Sequence, residues 1–171
     1  KGDVTQDGDH IKALKQAESH FVGMRAEKLV CNAGIFGKDY EHMEDMDSQS
    51  FDAIMAVNLK GVATGIKEFA QHQTADRKPA VVVIKSIYGS KASQLANPGY
   101  ISSKHAVKGL VSFASIDLAQ PRKNMPQIRV NSVSPGFTPS NMTAGWRRDD
   151  ATMQSVSELH PAGRWVDPED V

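Results

Sequence analysis

The residues with the clearest chemical potential lie in "GYISSKHAVKGL", residues 99 to 110, where Tyr100 and Lys104 stand four positions apart. On a helix, i and i+4 share one face, so the phenol and the ammonium would stand one above the other. A free tyrosine ionises near pH ~10 and is a poor base at neutral pH unless a neighbouring cation favours the phenolate. Lys104 would supply that cation. Ser86, just past an apolar run, could hydrogen-bond the same substrate oxygen, leaving Tyr100 as proton donor or acceptor. A Tyr-x-x-x-Lys pair alone is equally a solvated helix face, so the reading depends on what surrounds it. Asn58 is a second anomaly, because it falls on an apolar stripe between Met55 and Val62. A buried amide must find partners. It reads either as a structural asparagine or as the holder of a water in a proton path.

Three short β-branched runs are candidate strands: "EKLVC" (27–31), "AVVVIK" (80–85) and "QIRVNSV" (127–133). The middle run is apolar on both alternating faces, as in a parallel strand covered on both sides. Helical patterns separate the runs. "HIKALKQAESHF" precedes the first; a second helix spans about 50–72, with Asp47, Ser48 or Ser50 as N-cap and Phe51, Met55, Val62, Ile66 and Phe69 as its buried stripe; a third spans about 102–118, with Val107, Leu110, Val111 and Ala114 inward. Alternating strands and helices predict an α/β, doubly wound parallel sheet, Rossmann-like, with right-handed crossovers. Ligands bind such sheets at the carboxyl ends of the strands. There the sequence places Asn32-Ala33-Gly34, Ser86-Ile87-Tyr88-Gly89 and Pro135-Gly136-Phe137, three turns that would open on one edge. Each alone is an ordinary turn; together they suggest a site. The polar, Pro/Gly-interrupted stretch that follows reads as a loop and short helices crossing it, with 138–163 as the substrate-loop region and Trp146, Met142 and Met153 as apolar walls.

Composition narrows the classes. The chain has 171 residues, 20 basic against 20 acidic, which gives no electrostatic footprint for nucleic acid. No apolar run reaches the ~20 residues of a membrane helix. Cys31 is the only cysteine, so neither an internal disulfide nor a thiolate metal cluster can form, which fits a reducing, cytoplasmic setting. The six histidines are dispersed without metal-ligand spacing, and no serine-hydrolase elbow, zincin or P-loop sequence is present. No metal is expected.

Six ordered motifs resemble the classical short-chain dehydrogenase/reductases: Asp3-Val4, Cys31-Asn32-Ala33-Gly34, Asn58 in "VNLKG", Ser86, Tyr100 to Lys104, and Asn131 to Gly136 in "NSVSPG". The tail "HPAGRWVDPEDV" is also similar to the family's. The resemblance implies hydride transfer between nicotinamide and a secondary alcohol or ketone, with NAD or NADP as cofactor. It makes Tyr100 the acid/base, with Lys104 lowering its pKa and bonding the nicotinamide ribose, Ser86 the group that polarises the substrate oxygen, and Asn58 the holder of a water leading to Lys104. It assigns Asp3 and Val4 to the adenine end, and Asn32, Ala33 and Gly34 to the cofactor. Pro135, Gly136 and Phe137 would approach the nicotinamide, and Thr138 or Ser140 would meet its carboxamide. It also implies a homodimer or homotetramer packed through the two long helices, where Gly61 and Gly65 either permit close approach or let the helix pack on its own sheet.

The chain departs from the family's pattern in three places. Cys31 stands where asparagine is commoner. Lys85 stands before the serine where a small residue is usual, adding a cation to the site or pointing away from it. The Gly-rich phosphate turn, expected on a strand before Asp3, is not in the sequence, so residues 1–171 are expected to form a single partial NAD(P)-binding domain that lacks the first βαβ unit and the last strand. The alternatives are a non-catalytic dinucleotide-binding regulatory protein and a fragment inactive alone.

Overall fold

A computed structural model describes residues 2–38 and 41–171, which include every candidate site residue. Three parallel strands, β1 (Lys28–Cys31), β2 (Ala80–Ile84) and β3 (Arg129–Val133), lie side by side in that order. Their register aligns Leu29 with Val81 and Val130 on one face, and Val30 with Val82 and Asn131 on the other.

Those two faces have different fates. Val81 and Val83 are 0% exposed and join Val130, Leu14, Val62, Ile66, Phe69, Val107 and Val111 in the main core. That core is built by α1 (Asp9–His20), α3 (Gly61–His72) and α4 (Pro98–Asp117). On the opposite face Val30 is 60% exposed and Ala80, Val82 and Ile84 are only partly buried. Among the described residues, the helical core lies against one face.

The helix expected over about 50–72 starts at Ser48 and has three parts. Asp47 caps it, its side chain accepting from the Gln49 N–H at 3.0 Å. α2 (Ser48–Met55) runs into a π-helical turn, Ala56–Lys60, and continues as α3. Asn58 sits inside that turn. The helix expected from Ser102 begins earlier, at Pro98, because Asn97 caps it and proline suits the first helical turn. Tyr100 and Lys104 thus belong to the same α4. The segment after Pro135 holds two short 3-10 turns and α5 (Asp150–Glu158), as a loop with short helices should.

Gly61 and Gly65 serve packing within the chain. A Cβ on Gly61 would lie 3.0 Å from Val4, and one on Gly65 would lie 3.0 Å from the His10 ring. The two glycines let α3 pack against the N-terminal segment of its own chain. At the other side of that contact, Glu68 accepts the backbone N–H of Gly8 at 3.0 Å and of Ile11 at 2.9 Å. A carboxylate at the start of α1 satisfies donors that the helix leaves unpaired and suits its dipole.

Candidate active site

β2 ends at Ile84, and the chain turns at Ser86, whose Oγ accepts the Tyr88 N–H at 3.1 Å. The turn Ile87–Gly89 then lies directly on α4. A Cβ on Gly89 would come within 2.8 Å of the Lys104 carbonyl oxygen, so only glycine permits this approach. The approach sets Ser86 beside the first turns of α4, where Ser86 and Tyr100 line one cavity.

Tyr100 and Lys104 are both buried, at 7% and 6% exposed. Lys104 Nζ donates to the Ile84 carbonyl at 3.0 Å and lies 5.5 Å from the Tyr100 ring centroid. Burial depresses the ammonium, lowering its pKa to about 8. Burial also raises the Tyr100 phenol; the hydrogen bond with Ser86 opposes that shift and Tyr88 adds to it. The expected lowering of the phenol by Lys104 is not what dominates here, because desolvation outweighs a cation tied to Ile84 and itself destabilised by burial.

Asn58, 1% exposed, forms a joint rather than a wall of the site. Its Oδ1 accepts the Ile35 N–H at 2.8 Å, and its Nδ2 donates to the Ile35 carbonyl at 2.9 Å and to Ser103 Oγ at 3.1 Å. Both amide protons are thereby taken by protein acceptors. Asn58 fixes the turn after β1 against α4, and Gly34 lies directly in front of it, its Cβ position 3.4 Å from Oδ1.

Tyr100, Ser86 and Lys104 open into a cavity of about 520 Å³. Asn32, Gly34, Pro135, Gly136, Phe137, Thr138 and Ser140 also line it, so the three strand-end turns converge as expected. Thr138 Oγ1 donates to the Gly136 carbonyl at 3.2 Å, and Ser140 Oγ lies 3.3 Å from Thr143 Oγ1. Val4 and Ala33 line instead a smaller cavity of about 90 Å³, reached also by Asn32, His10 and Cys31. Burial pushes the Cys31 thiol up to about 11, which keeps it protonated and unreactive. Asp3 lines neither cavity; its carboxylate accepts from Thr5 N–H at 2.9 Å and Thr5 Oγ1 at 2.8 Å, bonds that hold its pKa below the usual value.

Two contributors, Phe36 and His160, escaped sequence reasoning, and Tyr88 was read only as part of the turn after the second strand. Phe36 stacks 4.7 Å from the Tyr100 ring and 5.0 Å from Trp146, walling the cavity with aromatic surface. Its only signal was its place two residues beyond Gly34. Tyr88, 7% exposed, lines the cavity and packs edge-on against Phe137 at 6.0 Å. His160 clamps the third turn: Nε2 accepts the Phe137 N–H at 3.0 Å, and Nδ1 donates to the Val156 carbonyl at 3.1 Å. The two partners fix the tautomer, since one offers a proton and the other takes one. No spacing rule links residue 160 to residue 137. Among the described residues no helix is long and apolar enough to cross a membrane, and no cluster of three metal-ligating side chains occurs.

The whole chain, residues 1–171, matches a family model described as Enoyl-(Acyl carrier protein) reductase. It is 33% identical over 168 residues to the 3-oxoacyl-acyl-carrier-protein reductase FabG of Staphylococcus epidermidis, covering 96% of this chain and 63% of that protein. It is 30% identical over 155 residues to momilactone A synthase of Oryza sativa subsp. japonica, covering 90% of this chain and 54% of that protein. The chain therefore spans less than two thirds of these relatives. Among solved structures, a gluconate 5-dehydrogenase of Burkholderia cenocepacia in complex with NADP and tartrate superposes with a TM-score of 0.82 at 26% identity, over 96% of this chain and 61% of that one. A short-chain type dehydrogenase/reductase of Mycobacterium marinum gives 0.83 at 28% identity, over 99% of this chain and 63% of that one. Motifs, parallel sheet and relatives agree, and the chain belongs to the classical short-chain dehydrogenase/reductase family.

Proposed function

We propose that the protein containing this chain is an NAD(P)-dependent oxidoreductase acting on a secondary alcohol or ketone. The observation that carries the reading is the meeting of Tyr100, Ser86 and Lys104 on the wall of one cavity. Relatives described as dehydrogenases and reductases, one of them complexed with NADP, support it.

The residues present suit the nicotinamide end of such a cofactor. Lys104 is buried yet uses one protein acceptor, Ile84, leaving further N–H bonds for ribose hydroxyls in the cavity. Asn32, Gly34, Pro135 and Gly136 line the same space with small side chains and backbone. Thr138 and Ser140 stand beside them, each able to redirect its hydroxyl from a local partner to the carboxamide. Val4, Ala33 and Asp3 would serve the adenine end. When bound, the nicotinamide supplies or accepts the hydride.

The chain's own residues do the proton chemistry. In reduction, Ser86 Oγ hydrogen-bonds the substrate carbonyl oxygen, and Tyr100 delivers its proton to that oxygen as the carbon becomes an alcohol carbon; oxidation reverses both. A phenol raised by burial stays protonated at neutral pH, as a proton donor must. The Lys104 cation favours the phenolate left behind, and its depressed pKa lets it pass a proton to Tyr100 near pH 8. Phe36, Phe137 and Trp146 keep water from the reacting atoms. Asn58 acts through position, pinning the 32–35 turn to α4. Phe113 and Ile116, each 67% exposed on α4, support packing of a second copy into a homodimer or homotetramer. A cytoplasmic enzyme fits the single, protonated cysteine.

The test is Tyr100→Phe in the full-length protein. Turnover of a secondary alcohol panel should fall at least ~100-fold, the range of general acid/base catalysis, with cofactor affinity largely kept. Unchanged turnover sinks the proposal.

A further inference from the structure

Lys85 departs from the family's usual small residue, and the structure places it on the wall of the reaction cavity, between Ile84 and Ser86. Its backbone is held in the sheet, the N–H donating to the Val133 carbonyl at 2.8 Å. Its side chain makes no hydrogen bond or ion pair with any described residue, although half-buried beside the serine that meets the substrate oxygen. The remaining walls explain why this matters. Among the described residues no aspartate or glutamate lines the cavity, and the other ammonium, Lys104, is committed to Ile84. Among the described residues, no aspartate or glutamate side chain pairs with Lys85.

Resting on the oxidoreductase reading above, we propose that Lys85 is a specificity-determining residue that binds a carboxylate carried by the substrate, so that the protein acts on 2-oxo or 3-oxo acids and the corresponding hydroxy acids. Lys85 and Ser86 line the same cavity, so an anion met by Lys85 belongs to the molecule whose oxygen Ser86 holds, and the long flexible stem lets the ammonium reach it. Phe36, Trp146 and Met142 supply the apolar surface for the rest of the molecule. An ammonium in a partly enclosed, carboxylate-free wall gains most from a charge-assisted bond to an anion.

The experiment compares full-length wild type, Lys85→Met and Lys85→Arg on two pairs: benzoylformate with its methyl ester, and acetoacetate with its methyl ester, each with NADH and NADPH. The quantity read is the acid-to-ester ratio of kcat/KM. Lys85→Met should lower it about ten- to hundredfold, the worth of a charge-assisted hydrogen bond, mainly through the KM of the acid, and Lys85→Arg should restore most of it. An unchanged ratio overturns the proposal, as does a loss confined to the KM of the cofactor. If neither member of a pair is turned over, calorimetric titration of benzoylformate into the NADP⁺ complex decides: binding weakened by Lys85→Met supports the assignment, and equal binding refutes it. Tyr100→Phe tests the oxidoreductase reading separately, so the two failures are distinguishable.

Discussion

Replacing Lys104 by methionine should make the fold more stable at neutral pH while removing the reaction. The ammonium is 6% exposed, and burial depresses its pKa from 10.5 to about 8. At ~1.36 kcal/mol per unit, keeping it charged in the native state at pH 7 costs about 3 kcal/mol. Methionine removes that cost and keeps the stem volume, but leaves the Ile84 carbonyl without its charged donor at 3.0 Å, a loss of about 1.5 kcal/mol. The net gain expected at pH 7 is about 1–2 kcal/mol. The pH dependence makes the test sharper. Between about pH 8 and 10.5 the unfolded chain still binds the lysine proton and the native one has released it, so wild-type stability rises with pH through that window. The mutant's advantage should therefore shrink there. The Cys31 thiol, raised from 9.0 to about 11, lowers stability over the upper part of the same range, but equally in both proteins, so it cancels in the difference. Urea unfolding of the full-length protein and its Lys104→Met variant at pH 7, 8, 9 and 10 measures the gap. A gap constant across the series, or a mutant less stable at pH 7 by more than 2 kcal/mol, would refute the reasoning.

Gly136→Ala should disrupt the third turn, because the new Cβ would sit 2.3 Å from His160 Nε2. Cofactor KM should rise at least tenfold, and adding His160→Ala should recover part of the loss; additive losses in the double variant would count against a clash. Asn58→Ala removes three hydrogen bonds in a buried site, including both to Ile35, and should destabilise by about 2–4 kcal/mol in chemical denaturation. A change below 1 kcal/mol would mean that the joint is not structural.

Much of the fold was legible because it rests on local patterns. The β-branched runs at 80–84 and 129–133 became strands, and the stripe Val62, Ile66, Phe69 became core. The meeting of Tyr100, Ser86 and Lys104 on one cavity was legible because four-residue spacing on a helix and the end of a strand fix relative position. Features depending on distant partners were not. Asn58 was read as buried, but its partner is the backbone of Ile35, which carries no side-chain signature. The start of α4 was hidden because Pro98-Gly99 resembles a turn, until the Asn97 cap makes it a helix start. The side to which Lys85 belongs needed the three-dimensional cavity.

The π-helical turn at Ala56–Lys60 works as a phase shifter between two halves of one helix. Each residue of an α-helix advances the side chains by ~100°, and a π turn accommodates one residue more than the α ladder would hold. Deleting one residue between 56 and 60 would let an uninterrupted α-helix form with the following side chains close to their present phase, whereas winding the same length as plain α-helix, or inserting one residue more, would swing every side chain after it by that angle. Val62, Ile66 and Phe69 would then leave the sheet together. The turn thus carries one residue that the ladder does not need, and the core stripe of α3 keeps its aim because the turn absorbs it.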